Sequence, residues 1–215
     1  DVHGSRGLGD VYKRQNLNLF GQFSPSNFEL SSNYVESFLK DSRGIMWIGT
    51  DEGLNLITPS DNFVFYSNIS NKKGLLNSEV YSLKELRNGI IVSFSSEGLS
   101  FFNPKTFSFR RVKLDSKPIA IYFDSEYNNY WVSTEFSGIS ILNKFLEPQF
   151  SLKYDPLNPT TLSSSSSVFD NKNNLIDFAE ENVFIGTPNG FNVFDRSQNC
   201  LLYTSDAADE RLRVD

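Results

Sequence analysis

The sequence predicts an all-β fold assembled from copies of one short unit. A short motif recurs four times: an apolar residue is followed by threonine or serine and then by glycine, at similar spacing. The apolar residue of the motif is Trp47, Val92, Trp131 or Phe184. The steps between these positions are 45, 39 and 53 residues, and a period of this size is typical of repeat proteins. Apolar and polar residues alternate in short runs, as in strands, and no stretch shows the 3.6-residue period of a helix.

Each copy orders its elements in the same way. In the first copy, a turn with aspartate and glycine leads into "IMWIGT" (45–50), a tight turn leads into "GLNLITP" (53–59), and the phenylalanine-rich segment "NFVFYSN" (62–68) closes the unit. Aromatic and β-branched residues in such runs favour strands. The chain is therefore predicted to form strands near 45–50, 54–58, 63–67, 90–94, 99–102, 130–134, 139–142, 183–187 and 191–195.

The recurring residues are expected to build the unit rather than to catalyse a reaction. Gly53 and Gly190 follow Glu52 and Asn189, and glycine at such a place indicates a hairpin turn because it tolerates positive φ. We expect the side chains of the apolar position, Trp47, Trp131 and Phe184, to be mostly buried between sheets. The structural motif comprises Trp47, Gly49, Thr50, Gly53, Gly98, Trp131, Thr134, Gly138, Phe184, Gly186, Thr187 and Gly190.

Four short strands in about 45 residues, repeated along the chain, predict the blades of a β-propeller. The chain is expected to be a β-propeller fragment of about four blades, each a four-stranded antiparallel sheet. The partial propeller is assigned to residues 16–199. Its blades or blade ends are placed near 16–29, 33–67, 78–112, 118–154 and 166–197.

The motifs resemble a known family. "KDSRGIMWIGTDEGLNLI" (40–57) resembles the two-component regulator propeller repeat, and "KYDPLNPTTLSSS" (153–165) resembles the connector between such repeats. "LSSNYVESFLKD" (30–41) and "LNSEVYSLKEL" (76–86) are similar to the same connector. The resemblance implies a periplasmic sensor region of a hybrid two-component regulator, often tied to polysaccharide use. It also implies a larger ring, whose remaining blades are partners of this chain, and a dimeric parent protein. Because "NLNLFGQF" (16–23) aligns with "GLNLITPSDNF" (53–63), the chain is expected to begin midway through a blade.

Both ends are predicted to lie outside the propeller. "GDVYKRQ" (9–15) and "CLLYTSDAADE" (200–210) fit no position of the unit and resemble peptides translated from sequencing-adapter DNA. Residues 1–15 and 200–215 are therefore taken as non-native flanks, with genuine disordered flanks as the alternative. Non-native flanks are expected to lack sheet pairing, and their deletion is expected to leave the unfolding midpoint unchanged.

Composition limits the chemistry. His3 and Cys200 are the chain's single histidine and cysteine, and both lie in the suspected flanks, so a Ser-His-Asp arrangement, a histidine-ligated zinc ion and a thiol nucleophile are disfavoured. Carboxylates at predicted turns could in principle pair as in glycosidases, but turn formation is their more frequent role. They are Asp41, Glu52, Glu97 and Glu135. The chain is therefore expected to be no enzyme and to need no cofactor or metal.

Charge and hydropathy exclude two kinds of partner. The formal net charge is −6, and the densest basic run, "FRRVK" (109–113), reads as an exposed strand. No nucleic acid is expected to bind such a surface, and no segment is apolar enough to insert into a membrane.

One loop carries the features of a sugar site. "FDSEYNNYW" (123–131) places Tyr127, Asn128, Asn129 and Tyr130 beside Asp124 and Glu126. Aromatic faces suit the CH surfaces of a sugar, while amides and carboxylates suit its hydroxyl groups. The loop is thus the candidate site for an oligosaccharide ligand, and an ordinary solvated hairpin is the alternative. The sequence leaves open a non-catalytic interaction or carbohydrate-binding scaffold in place of a sensor, and it disfavours a propeller lyase or glycosidase.

Overall fold

The computed structural model describes residues 30–57, 63–67, 74–158, 160–165 and 176–206. The expectations for residues 1–29 and 207–215 lie outside these ranges. Within them, sixteen strands form four sheets. The strands are β1 Val35–Lys40, β2 Met46–Thr50, β3 Leu54–Ile57, β4 Phe63–Tyr66, β5 Ser82–Glu85, β6 Ile91–Ser95, β7 Gly98–Asn103, β8 Ser108–Lys113, β9 Pro118–Asp124, β10 Asn129–Thr134, β11 Ile139–Leu142, β12 Pro148–Leu152, β13 Ile176–Ala179, β14 Asn182–Thr187, β15 Gly190–Asp195 and β16 Cys200–Asp206.

Each sheet is an antiparallel meander of four consecutive strands. The first sheet is β1–β4, the second β5–β8, the third β9–β12 and the fourth β13–β16. All nine predicted strands are present, and the prediction of an all-β propeller fragment of about four blades is confirmed. No helix occurs among the described residues, and hence none there could span a membrane.

Neighbouring sheets bury the central strands between them. Trp47 on β2 packs with Phe102 of the second sheet, and Trp131 on β10 packs with Phe194 of the fourth; both tryptophans are 1% exposed. Between the second and third sheets the core is made by Val92, Phe94, Ile121, Val132 and Leu142. The prediction that Trp47 and Trp131 are buried between sheets is therefore confirmed, and each contact covers a large apolar area.

Phe184 is the exception among the predicted core aromatics, because it is only half-buried. Its neighbours on β14, Val183 and Ile185, pack against the third sheet. Since successive side chains of a strand point to opposite faces, Phe184 lies on the other face of the fourth sheet. There it stacks on Phe191, with ring centroids 5.7 Å apart. No further sheet among the described residues covers that face, so the prediction that Phe184 lies between two sheets is wrong.

The segment that begins at Cys200 also departs from expectation. Strand β16 pairs with β15 from Asp195↔Cys200 to Gly190↔Asp206, so the prediction that this segment lacks sheet pairing is wrong for Cys200–Asp206. The turn before it is held by Asp195, whose carboxylate accepts from the backbone N–H groups of Ser197 and Gln198. Pairing uses backbone groups that every residue supplies, so an unusual sequence does not prevent it.

Candidate functional site

The threonine or serine of the repeat motif closes the turn between the two central strands. In each sheet its hydroxyl group donates to the carbonyl oxygen of the glycine that follows, at 2.9 to 3.1 Å. The four pairs are Thr50–Gly53, Ser95–Gly98, Thr134–Gly138 and Thr187–Gly190. Glycine is needed at one end of this turn because Gly138 has φ +73° and a β-carbon there would collide with the Leu152 carbonyl. These residues are therefore structural.

The connector between sheets is tied to the same turn. Ser31 donates its N–H to Asn55 Oδ1 at 3.0 Å, and its hydroxyl lies 2.8 Å from that of Thr50. The fourth sheet repeats this arrangement in Ser163, Asn192 and Thr187, with distances of 2.9 and 2.6 Å. Asn55 and Asn192 are fully buried, and buried amides require such partners. This network was missed from the sequence, although the connector serine and the asparagine two residues after Gly53 recur together.

Asp41 organises the turn between β1 and β2. Its carboxylate accepts from Trp47 Nε1 at 2.9 Å, from the backbone N–H of Ile45 at 2.9 Å and from the Arg43 guanidinium at 2.6 Å. Burial alone would raise the pKa of the Asp41 carboxyl, but these hydrogen bonds outweigh it and hold the pKa below its ordinary value. The aspartate and tryptophan of the repeat are thus hydrogen-bonded to each other, and together they hold the turn that leads into β2.

The predicted sugar loop, between β9 and β10, lines a pocket of about 300 Å³ at the rim of the third sheet. The turn between β11 and β12 forms its other wall. We call this the rim pocket; it is lined by Tyr127, Asn128, Asn129, Asn143, Lys144, Phe145 and Gln149. Three of the four predicted ligand residues, Tyr127, Asn128 and Asn129, are therefore brought together.

Tyr130, the fourth predicted ligand residue, faces the other way. It is 7% exposed and packs in the core between the second and third sheets, where its ring centroid lies 5.0 Å from that of Phe123. Burial raises the pKa of the Tyr130 hydroxyl. The side chain thus serves packing and does not line the rim pocket.

The carboxylates of the predicted loop are engaged by an arginine of the fourth sheet. Arg196 Nη1 donates to both carboxylate oxygens of Asp124, each at 2.8 Å, and Arg196 Nη2 donates to Glu126 at 2.9 Å. The Arg196 and Asp124 side chains are 3% and 1% exposed, so this pair is buried between the two sheets. Neither Asp124 nor Glu126 lines the rim pocket.

Tyr127 belongs both to the rim pocket and to this inter-sheet contact. Its hydroxyl group donates to Glu181 of the fourth sheet at 2.5 Å, and the Arg196 guanidinium lies 4.6 Å from its ring centroid. The hydrogen bond to Glu181 raises the pKa of Tyr127 above its ordinary value. The ring is 40% exposed and is held in place by groups from the neighbouring sheet.

The second wall of the rim pocket was not anticipated. Asn143 begins the turn, and its Oδ1 accepts from the backbone N–H groups of Phe145 and Glu147 at 2.8 and 3.0 Å. This turn presents Phe145, which is 58% exposed, with the Lys144 ammonium 5.0 Å from its ring centroid. The sequence signal was present in "NKFLEPQ" (143–149), where an exposed aromatic and a lysine follow a turn-forming asparagine.

The candidate catalytic carboxylates lie in four separate turns, and none of them lines the rim pocket. Glu52, Glu97 and Glu135 lie after the second strand of three different sheets, whereas Asp41 lies at the turn after β1, at the opposite end of β2. Among the described residues, no group of three or more histidine, cysteine, aspartate or glutamate side chains is placed to hold a metal ion. The rim pocket remains the candidate site, because it brings together three of the four predicted ligand residues.

The fold is that of β-propeller blades, and solved structures share it. The extracellular domain of BT3049 from B. thetaiotaomicron, described as a hybrid two component system, matches with a TM-score of 0.58 and 20% identity over 82% of this chain and 25% of that one. The extracellular domain of BT4673 from the same organism, also described so, matches with a TM-score of 0.56 and 19% identity over 83% and 25%. Virginiamycin B lyase from Staphylococcus aureus matches with a TM-score of 0.51 and 16% identity over 79% and 56%.

The sequence itself carries one recognisable copy of a known repeat. The model of the two component regulator propeller family matches residues 29–52, which include Asp41, Trp47 and Thr50. This match confirms the resemblance predicted from the motifs. A search among curated proteins gave no match. The chain spans about a quarter of the length of the two B. thetaiotaomicron domains.

Proposed function

We propose that this chain is part of the extracytoplasmic sensor propeller of a two-component regulator of the hybrid histidine kinase type. The observation that carries the proposal is the repeat match at residues 29–52, on a fold shared with extracellular domains of such systems. In this role the blades bind a ligand on the periplasmic side of the inner membrane and pass a signal to the rest of the regulator. They do not catalyse a reaction.

The propeller is proposed to continue beyond these four sheets, with further blades as the immediate partners. On the first sheet, Phe38 and Phe65 lie on the face opposite Trp47 and are 67% and 49% exposed. On the fourth sheet, Phe184 and Phe191 occupy the corresponding outer face. Aromatic residues on both end faces are suited to packing against another sheet, as Trp47 and Trp131 do within the described blades.

The ligand site is proposed to be the rim pocket, with an oligosaccharide as its ligand. Turns at a blade rim vary freely while the strands hold the scaffold, which makes them the usual place for binding residues. Tyr127 and Phe145 offer exposed aromatic faces, and Asn128 and Gln149 offer exposed amides. A volume of about 300 Å³ is at the small end of the range for ligand pockets and suits one or two sugar rings.

The sensor role is tested by reading the gene downstream of the segment that encodes this chain. We expect a transmembrane helix followed by a histidine-kinase region. A stop codon or a secretion-sorting tail would instead support the second candidate, a non-catalytic interaction or carbohydrate-binding scaffold. The observation that favours this second candidate is the rim pocket, because a pocket can bind a ligand whether or not a kinase is attached.

The ligand site is tested by calorimetric titration of the complete sensor region with a panel of oligosaccharides. Tyr127→Ala is expected to weaken binding, because it removes an aromatic face from the rim pocket. Tyr154→Ala is the matched control, since Tyr154 is 43% exposed and does not line the pocket. Unchanged binding by Tyr127→Ala, with unchanged stability, would place the site elsewhere. Tyr130→Ala would report on the core instead.

A further inference from the structure

We propose that the rim pocket binds an acidic sugar, one that carries a carboxylate or sulfate group, in preference to a neutral one. The inference rests on the proposed function, because it names the ligand class of the same site. It follows from which polar groups around the pocket are already bonded and which are free.

The carboxylates near the rim pocket are all bonded to other groups of the protein. Asp124 and Glu126 are paired with Arg196. Glu181 accepts from the Tyr127 hydroxyl, and Glu147 accepts from Arg110 and from the Asn143 amide at 3.2 and 3.0 Å. None of these four carboxylates lines the pocket. The pocket therefore lacks the acceptors that carboxylates commonly provide for the hydroxyl groups of a neutral sugar.

The free groups of the pocket are mainly donors. Lys144 makes no ion pair with the described residues, although the chain has a net charge of −6. The side-chain amides of Asn128 and Gln149 form no hydrogen bond with the described part of the protein, and Asn129 uses only its Oδ1, which accepts from Trp131. The ammonium group and three free NH₂ groups outnumber the two free amide oxygens of Asn128 and Gln149, and this excess of donors matches an acceptor-rich anion.

The aromatic side chains complete the match to a sugar acid. Phe145 is exposed beside the Lys144 ammonium, so an apolar face and a positive charge stand next to each other. Tyr127 is fixed on the opposite wall by Glu181 and Arg196, and it therefore loses little conformational freedom on binding. A pyranose ring with an acidic substituent can contact an aromatic face and place its anion at Lys144 in one orientation.

The test titrates the complete sensor region with tetrasaccharides of oligogalacturonate, hyaluronan and chondroitin sulfate. It also uses their neutral counterparts, in which every carboxylate is methyl-esterified and, for chondroitin sulfate, the sulfate groups are removed as well. At least one acidic sugar is expected to bind more tightly than its neutral counterpart, and the difference is expected to shrink as salt is raised. Lys144→Gln is expected to weaken binding of that sugar about five-fold, as for an exposed ion pair, and to leave the neutral form unchanged.

Lys105→Gln is the matched control, because Lys105 lies at the corresponding rim turn of the second sheet and outside the pocket. Equal binding of acidic and neutral sugars, or an unchanged affinity in Lys144→Gln, overturns the preference for acidic ligands and leaves the sugar-sensing proposal standing. If neither kind of sugar binds, both the ligand class and the proposed sugar site fall.

Discussion

The first and third sheets each begin their first turn with a buried aspartate, and the two aspartates have different partners. Asp41 is bonded within its own sheet, to Trp47, Arg43 and the backbone of the turn. Asp124 accepts from the backbone of its turn as well, through Glu126 and Tyr127, but its side-chain partner is Arg196 of the next sheet, 72 residues away. The same position of the repeat therefore stabilises a turn in one blade and also joins two blades in another.

The two buried tryptophans have different hydrogen-bond acceptors. Trp47 donates its indole N–H to Asp41, whereas Trp131 donates to Asn129 Oδ1 at 2.9 Å. The third sheet thus keeps a partner for its buried indole while releasing Asp124 for Arg196. The third sheet thus has an inter-sheet ion pair next to Tyr127 of the rim pocket.

The largest expected effect comes from breaking the buried pair. Arg196→Gln leaves the Asp124 carboxylate between the sheets without its cation, and we expect the free energy of unfolding to fall by about 3 kcal/mol. Urea unfolding at neutral pH measures it. The double variant Asp124→Asn/Arg196→Met should lose less than Arg196→Gln alone, because a neutral amide at position 124 needs no cation and its oxygen still accepts from the backbone N–H groups of Glu126 and Tyr127. A double variant as unstable as the single one would show that the uncompensated charge is not the cause.

Asp41→Asn tests the intra-sheet version of the same position. The amide cannot accept as strongly from Trp47 and Arg43, and we expect a loss of about 2 kcal/mol at neutral pH. The pKa of Asp41 is lowered in the folded protein, so its contribution is present above the ordinary aspartate pKa and is lost as pH falls through the folded value. The stability difference between parent and variant should therefore shrink toward acid pH. A difference that is constant with pH would contradict this account.

Arg43→Ala removes the cation from Asp41 and sharpens the contrast with Arg196. The Arg43 side chain is 39% exposed, and Asp41 retains Trp47 and two backbone N–H donors without it. We expect a loss of about 0.5 kcal/mol in the same urea experiment. If Arg43→Ala lowered the free energy of unfolding as much as Arg196→Gln does, the number of hydrogen-bond donors that the aspartate retains would not determine the loss of stability.

The smallest effect is expected for Lys153→Gln, which breaks an exposed ion pair with Asp115. The two side chains are 56% and 74% exposed, although their N–O distance of 2.9 Å resembles that of the buried pair. The change in unfolding free energy should be about 0.3 kcal/mol or less, and salt should reduce it further. A larger change would show that the N–O distance, and not burial, determines how much each ion pair contributes to stability.

Much of the fold could be predicted from the sequence because its signals are local. Alternation of apolar and polar residues located all nine expected strands, and the recurring Thr–Gly pairs located the turns between central strands. Phe184 was misjudged because burial depends on whether another sheet covers the strand, which a repeat position does not reveal. Pairing of Cys200–Asp206 was missed because backbone hydrogen bonding leaves little trace in side-chain type.

The sequence by itself determined the repeat, the strand pattern and one wall of the rim pocket, since all three depend on residues close together in the chain. Only the tertiary structure decided which polar groups remain free at that pocket. Asp124 and Glu126, which looked like ligands for a sugar, are bonded to Arg196, and Tyr130 is turned into the core. Lys144 and Phe145 line the pocket instead, because the meander brings the turn after β11 beside the turn after β9. Stacking of sheets brings together residues distant in the chain, and it is this stacking that sets the chemistry of the site.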